Sequence, residues 1–98
     1  MSNSAEIVLT FDKDITNLSG NIFGKNTFTE QADGKFTMGE NVCFVFPANI
    51  EEIASSFIQG FFAGMVKNLG INKTEEVVEI KAEGIENAKS YVFKKLRF

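Results

Sequence analysis

The most apolar segment of the chain is Val42–Phe46, five consecutive residues without a polar position. A short run without alternation is typical of a strand buried on both faces, so we expect a central strand here with helices covering each side of its sheet. Pro47 follows directly and ends the strand, because it has no backbone N–H to donate to a neighbouring strand.

Three further segments have strand character. Residues 6–11 are rich in β-branched and aromatic residues, and residues 15–18 are a candidate for a second short strand. In residues 75–82 apolar and charged positions alternate, which predicts an outer strand with one solvent-exposed face. The alternating positions are Val78, Glu79, Ile80 and Lys81.

A first helix is predicted to begin at Thr27. Thr27 and Glu30 have the spacing of a capping box, in which each residue satisfies a free backbone N–H of the other. Phe28, Ala32 and Phe36 then recur every fourth residue along one face. Residues 20–24, which precede this helix, begin and end with glycine and predict a loop whose backbone bends or closely approaches another segment.

The start of the second helix has two interpretations. Asn49 and Glu52 also have capping-box spacing, which would start one long helix at Ile50. Alternatively a turn leads to Ser55, which caps a helix beginning at Ser56. Local propensity does not distinguish the two starts.

The second helix has a wide apolar face that includes Phe57, and Gly70 is placed to end it in a left-handed conformation. Gly60 and Gly64, four residues apart, remove bulk from one flank. This spacing predicts close packing of the helix against the sheet, with a surface for a partner protein as the alternative.

The remaining segment, from residue 83 onward, has apolar residues at helical spacing and predicts a C-terminal helix; the repeating positions are Ile85, Ala88, Val92 and Leu96. The element order is therefore β-β-α-β-α-β-α. In 98 residues this order predicts one domain spanning residues 1–98, an α/β fold in which about three helices pack on one small sheet.

The distribution of charge and apolar residues along the chain argues against some classes of partner. The net charge is −3, and cations cluster only near the end, at Lys94, Lys95 and Arg97, so no basic surface for nucleic acid is expected. The first residues lack the features of a signal peptide, and the longest apolar stretch is far shorter than a membrane span. We therefore expect a cytoplasmic protein that binds neither nucleic acid nor membranes.

The chain lacks the residues that most catalytic and metal sites need. It has no His and a single Cys, Cys43, which excludes Ser-His-Asp and Cys-His catalysis and a structural zinc site within this chain. Cys43 lies in the apolar strand, where a thiol is hidden and unreactive. The clustered glutamates have the spacing of a solvated surface; they are Glu75, Glu76, Glu79, Glu83 and Glu86. We expect no enzymatic activity, cofactor or metal.

Ser55 and Ser56 are the residues to which a function can be assigned. A serine before a helix is first of all a cap that contributes about 1 kcal/mol. A serine in this position can also accept a phosphate, which the free N–H groups and the helix dipole stabilise, or it can belong to a docking surface that phosphorylation switches off. Phe57, Gly60 and Gly64, which follow on the same helix, are the other candidates for a docking surface.

Three segments carry a resemblance to a known family. Residues 18–26 read Leu-Ser-Gly-Asn-Ile-Phe-Gly-Lys-Asn, the strand Val42–Phe46 ends at Pro47, and residues 50–57 read Ile-Glu-Glu-Ile-Ala-Ser-Ser-Phe. Over most of residues 5–82 the chain resembles the bacterial STAS-like domains, small relatives of the STAS anti-sigma-factor antagonists. The resemblance implies a four-stranded mixed β-sheet with helices packed on it, and a role in protein–protein interaction within regulatory modules that often include a histidine-kinase-like ATPase.

The resemblance also implies a role for the two serines. In the STAS antagonists an Asp-Ser-Ser-Gly turn carries a regulatory phosphoserine, and Ser56 matches that phosphoacceptor, with Ser55 as its neighbour. Ala54 and Phe57 replace the flanking Asp and Gly. We therefore expect a non-catalytic interaction module; the alternative is a phospho-switch protein that an ATPase-type partner kinase phosphorylates on this turn, and a third hypothesis is an inhibitor that mimics an acidic ligand.

Overall fold

The computed structural model describes residues 5–97, so residues 1–4 and Phe98 lie outside the described part. The elements in chain order are β1 (Ala5–Val8), β2 (Asn17–Leu18), α1 (Asn21–Gln31), β3 (Val42–Phe46), β4 (Glu52–Ile53), α2 (Ser55–Leu69), α3 (Ile71–Val77), β5 (Val78–Ala82) and α4 (Ala88–Leu96). The α/β class expected from the sequence is confirmed.

The sheet differs from the predicted one. Strands β1, β3 and β5 form a three-stranded sheet in that order, with both pairs parallel, and β2 pairs with β4 in a separate parallel ladder. The expectation of one four-stranded mixed sheet is therefore wrong. Helical crossovers separate β1 from β3 and β3 from β5, and a crossover of this kind returns the chain in the parallel direction.

The described residues contain four helices where about three were expected. The additional helix is α3, which occupies a segment predicted as a connection followed by the start of the outer strand. Thr74 stabilises it locally, since its buried hydroxyl donates to the Gly70 carbonyl oxygen at 2.8 Å. Strand β5 consequently begins at Val78 rather than near Glu75, and its predicted alternation of buried and exposed residues is confirmed.

The two faces of the three-stranded sheet have different environments. One face carries a row of buried side chains at Ile7, Phe44 and Ile80, which are partners in register. The other, which we call the bare face, consists of two rows, Glu6, Cys43, Glu79 and then Val8, Val45, Lys81. Cys43 and Val45 in its centre are only half-buried, and no described element covers them. The expectation that β3 is buried on both faces is therefore wrong.

Aromatic side chains join the covered face of the sheet to the helices. The ring of Phe44 lies 5.0 Å from that of Phe61 and 5.9 Å from that of Phe62, both on α2, measured between centroids. Phe62 in turn lies 5.6 Å from Phe93 of α4. Edge-to-face pairs of this kind add to the free energy of burial without needing hydrogen-bond partners, so phenylalanines alone can build the layer between sheet and helices.

Helix α1 begins six residues earlier than the capping box predicted. It starts at Asn21, and Gly20 precedes it with a φ of 102°, a conformation that favours glycine. Thr27 lies inside the helix, where its hydroxyl donates to the Phe23 carbonyl oxygen at 2.8 Å instead of capping a terminus. The prediction of a helix start at Thr27 is therefore wrong, and residues 20–24 are its cap and first turn.

Two glycines bring α1 and α2 into close contact. A Cβ atom on Gly24 would overlap the carbonyl oxygen of Phe57, and one on Gly60 would overlap the carbonyl oxygen of Asn21. Each helix therefore uses a glycine where the backbone of the other passes. The close packing predicted for Gly60 exists, but its partner is helix α1 rather than the sheet.

The start of α2 follows the second of the two interpretations. Residues Glu52–Ile53 form the short strand β4, so a helix starting at Ile50 is wrong, and α2 runs from Ser55 to Leu69. Gly70 ends it as predicted in position, but with a φ of 81° and a ψ of 160°, a conformation that favours glycine and differs from the predicted left-handed one.

Candidate functional site

Contacts from two directions hold the turn that leads into α2. On one side the Ala54 N–H donates to the Leu18 carbonyl oxygen at 2.7 Å, next to the β2–β4 ladder. On the other side the Tyr91 hydroxyl accepts from the Ile53 N–H at 3.1 Å and donates to the Ile53 carbonyl oxygen at 3.3 Å. The backbone immediately before the two serines is therefore fixed by β2 and by helix α4.

Neither serine caps α2. Both are exposed and belong to the first turn, while the N-cap residue is Ala54, whose side chain makes no capping hydrogen bond. The Ser56 hydroxyl instead accepts a hydrogen bond from the Gly20 N–H at 2.9 Å. The expectation that one serine is a helix cap is therefore wrong, and Ser56 joins the start of α2 to the start of α1.

The electrostatic environment of Ser56 is set by two helix N-termini that meet there. The first turns, residues 21–24 and 55–58, contain no carboxylate, so the partial positive charge of their free N–H groups is not neutralised within either turn. Ser55 lies beside a surface cavity of about 440 Å³ that Glu52 and Lys95 also line. The Lys95 ammonium lies 4.5 Å from the centroid of the Tyr91 ring, an attractive cation–π contact.

Two exposed apolar side chains lie in the first turn of α1, which the hydrogen bond between Gly20 and Ser56 joins to the start of α2. Ile22, in the first turn of α1, is 74% exposed, and Phe23 beside it is 38% exposed. The Phe23 ring packs against that of Phe57 at 5.3 Å, which fixes its orientation. Ile22, Phe23, Ser55 and Ser56 together make up what we call the serine-turn surface.

Sequence reasoning missed the apolar half of this surface. Residues 20–24 were expected to be a loop, and a loop gives no reason to place Ile22 beside Ser56. The two glycines were the available signal: Gly20 directly before an N-terminus and Gly24 four residues later fit a helix that starts at residue 21 and contacts another helix.

The structure separates the other candidate docking residues from one another. Phe57 is 1% exposed and Gly60 is buried against α1, so neither offers its surface to a partner in this conformation. Gly64 is exposed, and a Cβ atom there would meet nothing within 4 Å. It lies on a groove between α1 and α2 that Lys25 and Phe28 also line.

Cys43 lies on the bare face, away from the serine-turn surface, and it is half-buried rather than fully hidden. Burial raises the pKa of the Cys43 thiol above its ordinary value; the Lys81 ammonium opposes this shift, and the carboxylates of Glu6 and Glu79 add to it. A thiol with a raised pKa has little thiolate near neutral pH, so it is a poor nucleophile.

Three of the five clustered glutamates are paired with cations. Glu76 lies 3.5 Å from the Lys73 ammonium and Glu79 lies 2.9 Å from that of Lys89. Glu75 is paired with Arg97. All of these carboxylates are at least a third exposed, so the pairs are solvated surface ion pairs with small individual effects on stability.

Metal ligands, membrane-spanning helices and similarity to known proteins do not add to the description of the site. Within residues 5–97, no three His, Cys, Asp or Glu side chains are grouped so that they could hold a metal ion. None of the helices in the same range has the length and hydropathy to cross a membrane. Comparison with protein-family models, with curated proteins and with solved structures finds no match for the chain.

Proposed function

We propose that this chain is a non-catalytic protein–protein interaction module that binds its partner through the serine-turn surface. The observation that carries the proposal is the hydrogen bond between the Gly20 N–H and the Ser56 hydroxyl, which joins the start of α1, with its exposed Ile22 and Phe23, to the start of α2, with its two exposed serines. Apolar side chains next to a few oriented polar groups are the usual composition of a protein-binding surface.

The rigidity of this surface supports the proposal. Tyr91, Leu18 and Gly20 each contribute a hydrogen bond that fixes the backbone or a side chain of the turn. A partner that binds here orders little additional chain, so less of the interaction free energy is offset by lost conformational freedom.

The partner class that we propose is a histidine-kinase-like ATPase in a cytoplasmic regulatory module. The support is the STAS-like resemblance of residues 18–26 and 50–57, which together contain all four residues of the serine-turn surface. Both resembling segments thus meet at one place on the molecule, where the Gly20 N–H donates to the Ser56 hydroxyl.

Capture of partners from the native host tests the proposal. Immobilised wild type, Ser56→Ala and Ser56→Asp are compared by quantitative mass spectrometry. Ser56→Ala is expected to retain partners, whereas Ser56→Asp is expected to lose them, because a carboxylate on the serine-turn surface must be desolvated when a partner covers that surface. Ser90→Asp makes the same change at an exposed serine in the first turn of α4 and should retain all partners. Equal capture by all four proteins would exclude this surface.

A phospho-switch on Ser56 is the second candidate function. The convergence of two helix N-termini favours it, since a phosphate on the Ser56 oxygen would lie near the free N–H groups of both first turns. Phosphorylation would place about two negative charges beside Ile22, which would remove an apolar partner from the serine-turn surface.

Intact mass measurement tests this second candidate. The protein is incubated with ATP and host extract and should gain one phosphate, which Ser56→Ala prevents and Ser55→Ala does not. A phosphate located on Ser55, or no phosphate with an extract that supports partner capture, would argue against the switch and leave the docking proposal standing.

A further inference from the structure

The bare face of the sheet is a regular surface that no described element covers. Its rows are Glu6, Cys43, Glu79 and Val8, Val45, Lys81, and Val8 is 61% exposed. Parallel sheets in proteins are almost always covered on both faces, because their strands are apolar on both sides. We infer that a second copy of this chain covers the bare face, so that the protein forms a symmetric dimer.

The apolar part of the bare face extends beyond the ends of the strands. A surface cavity of about 570 Å³ adjoins the carboxyl ends of β3 and β5, and its lining includes Val45, Pro47, Ala48 and Ala82 together with Lys81 and Glu83. A partner surface laid on the sheet and this cavity would remove these apolar side chains from water, which favours association.

The charges of the bare face are balanced. Lys81 lies 3.4 Å from the carboxylate of Glu6, and Lys89 of α4 lies 2.9 Å from that of Glu79 at the sheet edge. The face itself carries two carboxylates and one ammonium group, a net charge of −1, which Lys89 beside the face offsets, whereas the whole chain carries −3. Two copies that meet through this face avoid the repulsion that other parts of the acidic surface would cause.

The order of the charges selects one symmetric arrangement. A twofold axis along the strands would place β1 over β5, so that Glu6 of one copy faces Glu79 of the other. A twofold axis across the strands instead places one row over the other, with Glu79 opposite Lys81, Cys43 opposite Val45 and Glu6 opposite Val8. The second arrangement brings opposite charges together twice in the dimer, and it is the one that we assign.

The size of the face indicates a weak dimer. Three strands about 4.8 Å apart and about five residues long give a surface of roughly 14 Å by 16 Å. Even with the adjoining cavity this is less than the roughly 800 Å² that each partner contributes to a standard interface. We therefore expect a dissociation constant of roughly 100 µM.

Sedimentation equilibrium from about 5 µM to about 1 mM tests the inference. Wild type should be monomeric at the low end and dimeric at the high end. Val45→Glu and Lys81→Glu should each weaken the dimer at least about tenfold, and the double charge swap Glu79→Lys with Lys81→Glu should recover most of the wild-type affinity because it exchanges the facing charges. Lys25→Glu, which reverses an exposed lysine of α1, should dimerise like wild type.

Alkylation of Cys43 provides an independent readout without any new probe. The rate should fall as the concentration of wild type rises, since dimerisation covers the thiol, and it should not depend on concentration for Val45→Glu. Circular dichroism establishes that each variant is folded; if Val45→Glu is not, the charge-reversed positions, whose side chains are each 67% exposed, decide the question.

Three outcomes would overturn the inference. They are a wild type that stays monomeric over the whole concentration range, a dimer that persists unchanged in folded Val45→Glu or Lys81→Glu, and a charge swap that dimerises no better than Lys81→Glu alone. None of these results bears on the serine-turn surface, which lies on α1 and α2, so failure of the dimer leaves the proposed function to its own test.

Discussion

Phe44 and Val45 are neighbours in the same strand, yet one is buried and the other is half-exposed. Phe44 points to the face that α2 covers, where the rings of Phe61 and Phe62 pack against it. Val45 points to the bare face, between Val8 and Lys81. An apolar run therefore identifies a strand, but it does not show whether other elements of the same chain cover both of its faces.

Gly60 and Gly64 of α2 differ in a similar way, since one is packed against another element and the other is not. Gly60 lies where the Asn21 carbonyl of α1 passes, whereas Gly64 has open space around it. Identical residues one helical turn apart therefore have opposite roles: the first is required for helix packing and the second only lowers the helix propensity of the segment.

The largest change in the free energy of unfolding is expected for a substitution on the covered face of the sheet. Phe44→Ala should lower the free energy of unfolding by about 3–5 kcal/mol, because it removes a fully buried ring between sheet and helix. Val45→Ala should cost about 1 kcal/mol or less, because that side chain is already in contact with water. Urea denaturation of both variants measures the difference; similar losses would mean that the bare face is covered within the monomer.

The two glycines of α2 should respond in opposite directions. Gly60→Ala is expected to destabilise the protein by about 1–3 kcal/mol, because its Cβ atom forces α1 and α2 apart. Gly64→Ala should stabilise it by about 0.5–1 kcal/mol, since alanine is the better helix former and has room. Thermal unfolding of the pair measures both changes, and a destabilising Gly64→Ala would show that this glycine has a packing partner.

These pairs also show which parts of the fold the sequence could predict. The positions of the strand at residues 42–46 and of the end of α2 at Gly70, and the alternation of β5, follow from local patterns, although only one face of β3 is covered. The start of α1 does not, because Thr27 and Glu30 give a stronger local signal than Asn21. What favours the earlier start is the contact of Gly24 with α2, which only the folded chain brings about.

The sequence likewise predicted only part of the candidate site. The second interpretation placed Ser55 and Ser56 at the beginning of a helix, and they are there. The cap predicted at Ser55 was wrong because α2 begins one residue earlier, with Ala54 as its N-cap residue, and the Ser56 hydroxyl accepts from Gly20, 36 residues away in sequence. Ile22 and Phe23 could not be assigned to the site without that long-range contact.

Replacing either of the two serines should change the free energy of unfolding by a smaller amount. Ser56→Ala removes the acceptor of the Gly20 N–H and should cost about 0.5–1.5 kcal/mol in the free energy of unfolding. Ser55→Ala should change it by less than about 0.5 kcal/mol, as is usual for an exposed position without a specific contact. Chemical denaturation of the two variants side by side tests this; a larger loss for Ser55→Ala would mean that the turn is held differently.

The smallest expected effect is a shift in the pH dependence of Cys43 labelling. Because burial raises the pKa of the thiol, its thiolate fraction should rise at higher pH in the native protein than in the urea-unfolded chain. Alkylation rates measured against pH in the two states should give the higher midpoint for the native state. A native midpoint at or below the unfolded one would indicate that Lys81, rather than burial, controls the thiol.

The most direct measurement for the proposed function compares Ile22→Lys with Met38→Lys in partner capture from the native host. Both replace an exposed large apolar residue, 74% and 39% exposed respectively, but only Ile22 belongs to the serine-turn surface. Ile22→Lys is expected to lose the proteins that wild type captures, whereas Met38→Lys is expected to retain them at unchanged levels. Retention of the same proteins by folded Ile22→Lys would contradict it.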